Sequence, residues 1–403
     1  MKPAALSLAV LATSLLVSIY AQADGPRARD LGVPFEGTPG RLNAITDIAG
    51  VEVGQITLNS GEGALHVGKG PVRTGVTVVL PRGRGSVDTV NAGFFNLNGN
   101  GEMTGQSYLQ DFGQAFGPIG ISNTNAIGPV YAGITQWSAQ KFGSAIWPVV
   151  GETWDSYLND LEGLHIKPDH AVQAIESARS GTVAEGNVGG GTGMVCFGFK
   201  GGIGTSSRVV EVEGKRYTVG VLVQCNTGLR ETLRIAGVPV GHELAQKWLG
   251  CYRPDLAPKD KTPRCQNSGD GGKPSKDQGS IIIVVGTDAP LTPTQLNRVA
   301  RRASMGLARL GSFAGNQSGD IIVSFSTTGA VNEIEAEKPV NSVQFPNGLI
   351  DPLFQATVEA TEESISNAMV AARDMTGIDG YQVYALPHDA LKSILGKYNR
   401  LNP

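Results

Sequence analysis

No charge of either sign is in excess. The 403 residues hold 33 Lys and Arg against 36 Asp and Glu, a formal net charge of −3. That balance makes no electrostatic case for nucleic acid or an anionic membrane and leaves small, neutral partners as the default. Histidine is sparse: His66, His165, His170, His242 and His388 are scattered, and no H-E-x-x-H occurs. Neither they nor the four cysteines show zinc-type spacing, so no metal or other cofactor is expected. No serine has the G-x-S-x-G surroundings of a nucleophile elbow, and no histidine is placed to activate one. Beyond residue 23 no 18 apolar residues run together, so no later membrane span is expected.

What is present is glycine, 55 residues, about twice the average share of roughly 7%. It gathers in stretches such as "VGGGTGMVCFGFKGGIGTSS" (Val188 to Ser207), which suggest tight turns and backbone close to a ligand. The length and the 40% hydrophobic content allow one large α/β domain or two tightly joined ones. Lys2, the apolar stretch Ala4 to Tyr20 and Ala21-Gln22-Ala23 follow the order of a secretory signal, whose removal would leave Asp24 first and the protein in a periplasm or outside the cell. In such a compartment cysteines could pair. Cys251 and Cys265 flank a loop that a disulfide would restrain, whereas Cys196 and Cys225 lie in apolar runs and read as buried packing residues.

Buried strands are expected at Gly75 to Arg82, Tyr217 to Asn226, Ser280 to Thr287 and Asp320 to Thr327. Between the last two, Thr292, Pro293 and Gln295 open a helix with a capping box and a stripe of Leu296, Val299, Ala300, Ala303, Leu307 and Leu310. A second helix starts at Asp351-Pro352, carries Phe354, Val358, Ile365, Met369 and Ala372 on one stripe, and stops by Gly377. One-striped helices beside apolar strands argue for helices layered on sheets. "GALHVGKG" (Gly63 to Gly70) approaches a P-loop, but Gly70 replaces the magnesium-binding Ser or Thr; it reads as a loop. "SAQK" (Ser138 to Lys141) matches S-x-x-K without the companion motifs and reads as coincidence.

The segment from Tyr252 to Gly279 is a linker with four prolines and few hydrophobic residues. It ends in "SKDQGSIIIVVGT", where Ser280 either opens a buried strand or becomes a new N-terminus. With no histidine to serve as base, an α-amine with a pKa of about 7.7–8.0 could take the proton of the hydroxyl on its own residue. That chemistry needs a cut before Ser280, and Gly279, lacking Cβ, would let the peptide reach the geometry for it.

The stretch "GSIIIVVGTDAPLTPTQLNRVARRASMGLARLGSFAGNQSGDIIVSFST" (Gly279 to Thr327) resembles the start of the β-subunit in the L-aminopeptidase/D-Ala-esterase/amidase family of self-processing peptidases, which includes the β-peptidyl aminopeptidases. "NGNGEMTG" (Asn98 to Gly105), "GETWDSYLND" (Gly151 to Asp160), "GNVGGGTGMVCFGFKGGIGTSSR" (Gly186 to Arg208) and "GVLVQCNTG" (Gly220 to Gly228) extend the resemblance over nearly the whole mature chain. It implies an αββα sandwich like that of N-terminal nucleophile hydrolases, cleavage into subunits 24–279 and 280–403, and assembly of several such pairs, usually a tetramer.

The resemblance also implies roles. Ser280 would be the nucleophile. Ser318 and Asp320 would help move the proton of the new amine, although Ser-Gly-Asp could equally be a turn opening a strand. Some members carry Glu where Asp320 stands, which shortens the reach here. Asn226 would be an oxyanion donor or simply part of an Asn-x-Gly turn. Glu152 would receive the free ammonium of a short peptide or amide substrate. Trp154, where the aminopeptidase/esterase branch has Tyr, would be an apolar substrate wall closer to the β-peptidyl branch, or a core residue. The expected function is a serine aminopeptidase releasing N-terminal β-amino acids. A D-Ala or L-residue aminopeptidase-esterase, and a non-catalytic periplasmic binding protein with an intact chain, are the alternatives.

Overall fold

The computed structural model describes residues 25–244, 253, 255–258, 277, 279–329, 338–339 and 341–402. The expected signal segment, the Cys251–Cys265 bridge and most of the linker lie outside the described residues. In chain order the strands are β1 (Glu52–Ser60), β2 (Val72–Leu80), β3 (Val90–Gly99), β4 (Gln114–Asn123), β5 (Pro148–Thr153), the two-residue β6 (Val195–Cys196) and β7 (Phe199–Lys200), β8 (Gly202–Val212), β9 (Lys215–Asn226), β10 (Ser280–Thr287), β11 (Gly319–Ser326), and the short β12 (Met375–Thr376) and β13 (Gln382–Val383). The helices are α1 (Gln106–Phe112), α2 (Ile127–Phe142), α3 (Pro168–Ser177), α4 (Val240–Glu243), α5 (Pro293–Arg309), α6 (Asp351–Val370) and α7 (His388–Lys397).

Two sheets stack face to face. One runs β1-β2-β4-β5 and the other β3-β11-β10-β9-β8; β3 and β4 join them through Val90 with Ala115 and Asn91 with Gln114. The space between them is filled by Val53, Val79, Ile119 and Ile121 against Leu222, Ile282, Val284, Ile321, Val323 and Phe325. On the outer face of the first sheet, α2 and α3 pack Val130, Ile134, Ala171 and Ile175 onto Val76, Val78 and Val150. On the outer face of the second, α5 and α6 pack Leu296, Val299, Ala303, Ala360 and Ile365 onto Ile281, Ile283, Val221 and Val223. The result is the expected αββα sandwich. Each residue of β10 is buried, because alternate side chains enter two different cores; such a strand reads as a continuous apolar run.

β10 pairs parallel with β11 and antiparallel with β9, so α5 is the crossover that parallel pairing demands. Its cap forms as expected: the Gln295 N–H donates to Thr292 Oγ1 at 3.3 Å, and the Thr292 N–H to Gln295 Oε1 at 3.0 Å. The second helix differs from expectation. α6 is buried around most of its circumference, held between the sheet, α5 and the N-terminal segment that includes the 3₁₀ turn Ala28–Leu31. Buried Glu363, off the expected apolar stripe, pairs with Arg29 and Arg208, each at 2.8 Å.

The cysteine reading is corrected. Cys196 and Cys225 are bonded to one another, with Cα atoms 5.5 Å apart. Their apolar surroundings are those of a buried disulfide between β6 and β9. "GALHVGKG" is a loop whose Gly68 and Gly70 N–H groups donate to Asp160 Oδ2 at 2.8 and 3.1 Å. In "SAQK", Ser138 is buried in α2 and bonds the carbonyl of Thr135 and the N–H of Ile146.

Candidate active site

Ser280 is the first residue of β10, and its ladder partners are Asn226, the last residue of β9, and Gly319, the first of β11. Three strand ends thus meet at one edge of the sandwich. Strand alternation sets Ser280 on the face of Ile282 and Val284, toward the space between the sheets. At the same edge β5 ends in Glu152 and Thr153. Between them opens a cavity of about 470 Å³ lined by Ser280, Glu152, Trp154, Thr124, Asn100, Gly101, Glu102 and Gln317. It suits a small molecule or a chain end.

Glu152 is 4% exposed, and among the described residues no Lys or Arg pairs with it. Its Oε1 accepts the N–H of Glu102 at 3.0 Å and its Oε2 the hydroxyl of Thr124. Burial pushes its carboxyl above the usual range, the two hydrogen bonds pull the other way, and the nearby charge of Glu102 adds to the rise. A cation entering the cavity would relieve that buried charge. Trp154 is 46% exposed, so its indole is a cavity wall and not a core residue.

Asn226 is buried, and its side chain is oriented from both ends. Oδ1 accepts the Val195 N–H at 2.8 Å, and Nδ2 donates to the Trp154 carbonyl at 2.8 Å. Among the described residues nothing accepts its second Nδ2–H, and the side chain is not spent on a local turn. Asn226, Ser318 and Asp320 do not themselves line the cavity. The Ser318 hydroxyl donates to Asp320 Oδ1 at 2.8 Å, and Thr227 Oγ1 lies 3.4 Å from Ser318 Oγ. Asp320 Oδ2 is buried and, among the described residues, has no hydrogen-bond partner. Burial raises the Asp320 carboxyl to about 6; Ser318 opposes the rise, the charge of Asp277 adds to it, and Thr227 opposes it. Ser318 and Asp320 flank Gly319, the register partner of Ser280, and Asp320 leaves the sheet on the face opposite to Ile321.

The Gly279 carbonyl accepts the Gly319 N–H at 3.1 Å. A Cβ on Gly279 would stand 2.4 Å from both the Asn226 carbonyl oxygen and the Thr227 Cα. Glycine is thus required there by the closeness of the β9 end, in addition to any freedom it lends the peptide. Two groups behind the site had no place in the sequence reading. Lys200, fully buried, donates from Nζ to the carbonyls of Met194, Gly201 and Gly191 at 2.7, 2.8 and 3.3 Å. Burial lowers its ammonium to about 7, against the pull of Asp155. Asp155 is itself raised to about 7 by burial, opposed by bonds from Thr74, Asn159 and Asn123. A lysine inside the apolar, glycine-rich "CFGFKGG" was the available signal.

Residues 43–383 match the model of peptidase family S58. The chain belongs to peptidase family S58. It is 51% identical to the beta-peptidyl aminopeptidase BapA of Sphingosinicella microcystinivorans over 398 residues, 98% of each chain. It is 48% identical to that of Sphingosinicella xenopeptidilytica over 395 residues, 96% of this chain and 95% of the other. Among solved structures, the L-aminopeptidase D-Ala-esterase/amidase of Ochrobactrum anthropi, described as a variant of the Ntn hydrolase fold, superposes with a TM-score of 0.82 at 40% identity, covering 93% of this chain and 99% of that one. A Burkholderia sp. beta-aminopeptidase gives 0.78 at 40% identity, covering 92% and 99%. This S58 member is accordingly a serine aminopeptidase, a hydrolase, and the non-catalytic binding-protein alternative falls away.

Proposed function

We propose that this S58 peptidase cuts itself between Gly279 and Ser280 and then releases N-terminal β-amino acids from short peptides and amides. The observation that carries the reading is the single cavity holding both Ser280 and the buried, cation-free carboxylate of Glu152. In self-cleavage, Ser280 Oγ bonds to the Gly279 carbonyl carbon, the C–N bond breaks, and the hydroxyl proton passes to the leaving nitrogen. Water then hydrolyses the ester, restoring the hydroxyl and leaving a Gly279 carboxylate and a Ser280 α-amine. The Gly319 N–H stands at the carbonyl oxygen on which negative charge would develop.

In the mature enzyme, that α-amine takes the Ser280 proton as the hydroxyl attacks the substrate carbonyl, with Ser318 and Asp320 relaying charge beside it. The free N–H of Asn226 stabilises the tetrahedral oxyanion, the amine protonates the departing amide, and water releases the acyl group. Glu152 takes the substrate ammonium, which restricts the enzyme to chain ends. The half-exposed Trp154 offers an apolar wall along the acyl residue, and the relatives at 51% and 48% identity are beta-peptidyl aminopeptidases; both favour a β-amino acid. Removal of residues 1–23 on export to the periplasm and assembly of the cleaved pairs into a tetramer complete the proposal.

Purified mature protein on a denaturing gel should give two fragments, one beginning Ser-Ile-Ile-Ile, and Ser280→Ala should stay whole and inactive. A panel of β-, D- and L-aminoacyl amides then decides specificity. Faster turnover of D-Ala or L-residues than of β-residues would move the enzyme to the aminopeptidase-esterase branch, and an uncut but active chain would sink the α-amine mechanism.

A further inference from the structure

Asp277 sits two residues before the proposed cut. It is 6% exposed, unlike a residue of a solvated linker end. Its Oδ1 accepts the N–H of Gly228 at 3.3 Å and the N–H of Gly279 at 3.4 Å, and its Oδ2 accepts the N–H of Gly315 at 3.2 Å. One carboxylate therefore ties the residue bearing the scissile carbonyl to the loop after β9 and to the loop before β11. Gly315 is fitted to it so closely that a Cβ there would lie 2.5 Å from the Asp277 Cβ. Backbone N–H groups are acceptable partners for a buried carboxylate, and three of them make this a specific seat. Those two loops lead to Asn226 and Gly319, the ladder partners of Ser280. The seat therefore holds the Gly279 carbonyl against the Gly319 N–H while the chain is intact.

We infer that Asp277 is a positioning residue for self-cleavage, used once, and that it is dispensable for peptide hydrolysis afterwards. The inference rests on the self-cleavage proposed above. After the cut, Gly279 becomes a chain end carrying its own carboxylate, on the same short tail as Asp277 and near Asp320, whose carboxyl already feels the charge of Asp277. Repulsion among these groups favours departure of the tail from the seat. Asp277 leaves with that tail and contributes nothing to the cavity lining, so turnover does not call on it.

The test follows full-length Asp277→Ala and Asp277→Asn through conversion of whole chain to fragments on denaturing gels, then measures kcat and KM per cleaved chain by burst titration. Cleavage of Asp277→Ala should slow by about tenfold to a hundredfold, the scale of a misplaced reacting group. Asp277→Asn should be intermediate. Both, once cut, should match wild type in kcat and KM within about twofold, on the same geometric argument. Cleavage of Asp277→Ala at the wild-type rate would overturn the inference. So would a loss of kcat/KM in cleaved protein matching the loss in cleavage rate, or uncut variants whose thermal midpoint has collapsed, since either gives Asp277 a general structural role. Failure of wild type to cut itself would instead remove the parent reading, and this one with it.

Discussion

At the scale of single residues, the intact chain separates the contribution of Asp320 from that of any α-amine. Before the cut there is no α-amine at Ser280, so a pH dependence of cleavage between about 5 and 7 cannot come from one. Asp320 is raised to about 6 by burial, with the Ser318 hydroxyl donating to it and the charge of Asp277 adding to the rise. If its carboxylate draws the proton through Ser318, the cleavage rate should be level above about 7 and fall about tenfold per pH unit below about 6, as for one titrating group. Time courses of fragment formation across buffers measure this; Asp320→Asn should cleave slowly and lose the acid limb. The stability sign is opposite. A carboxyl raised on folding contributes stability that is full below its unfolded value of about 3.9 and lost as pH rises through about 6. Acid should therefore slow cleavage without this group weakening the fold. Of these residues, Ser280, Ser318, Asp320, Asn226, Glu152 and Trp154 could be named from the sequence because the family resemblance implies a role for each of them. Thr124, Gln317 and Asp277 could not: their roles depend on loops meeting at the ends of strands far apart in the chain.

At the scale of elements, the small β6–β7 ladder behind Asn226 makes the next prediction. Val195 of β6 holds the Asn226 amide, Cys196 is bonded to Cys225 immediately before Asn226, and Lys200 of β7 gathers three carbonyls of the same turn. The disulfide closes a loop of 29 residues, and its loss through Cys196→Ala with Cys225→Ala should lower stability by about 2–4 kcal/mol. Lys200→Met would leave those carbonyls with fewer partners and let the turn drift. It should reduce kcat by about tenfold or more while KM stays within about threefold, the signature of a contact used mainly in the transition state. Denaturant titration and steady-state kinetics check the pair; unchanged kcat in a folded Lys200→Met would free Asn226 from this support. The sequence was informative where a pattern is local. β10 has the expected bounds, Ser280 to Thr287, around its β-branched run Ile281 to Val285, and the cap of α5 needs only three residues. It was uninformative where burial comes from elsewhere in the chain. α6 is buried beyond its apolar stripe by α5 and the N-terminal segment, and Cys196 and Cys225 are partners because the turn brings β6 against β9.

At the scale of the whole molecule, the question is why a chain cut where we propose, beside its central strand, should hold together. The second sheet runs β3-β11-β10-β9-β8, so the portion after the cut supplies the two inner strands and the portion before it supplies both flanks. α5 and α6, also from the later portion, roof that sheet. Hydrolysing one peptide bond at the edge of β10 breaks none of these ladders, and each portion alone would expose unpaired strand edges and an open apolar face. The cleaved protein should therefore elute as one species containing both fragments in native buffer and separate only in denaturant. Residues 280–403 produced alone should aggregate or lack a cooperative thermal transition, and should regain one when produced together with residues 24–279. Size-exclusion chromatography with gels of each fraction reads the first outcome and circular dichroism the second. A later fragment that folds cooperatively by itself would mean that the interleaving of strands is not what joins the two halves. The same interleaving would let the nucleophile be freed without loosening it: on the proposed cut, Ser280 would become a chain end while its ladder partners on both sides, Asn226 and Gly319, stay in place.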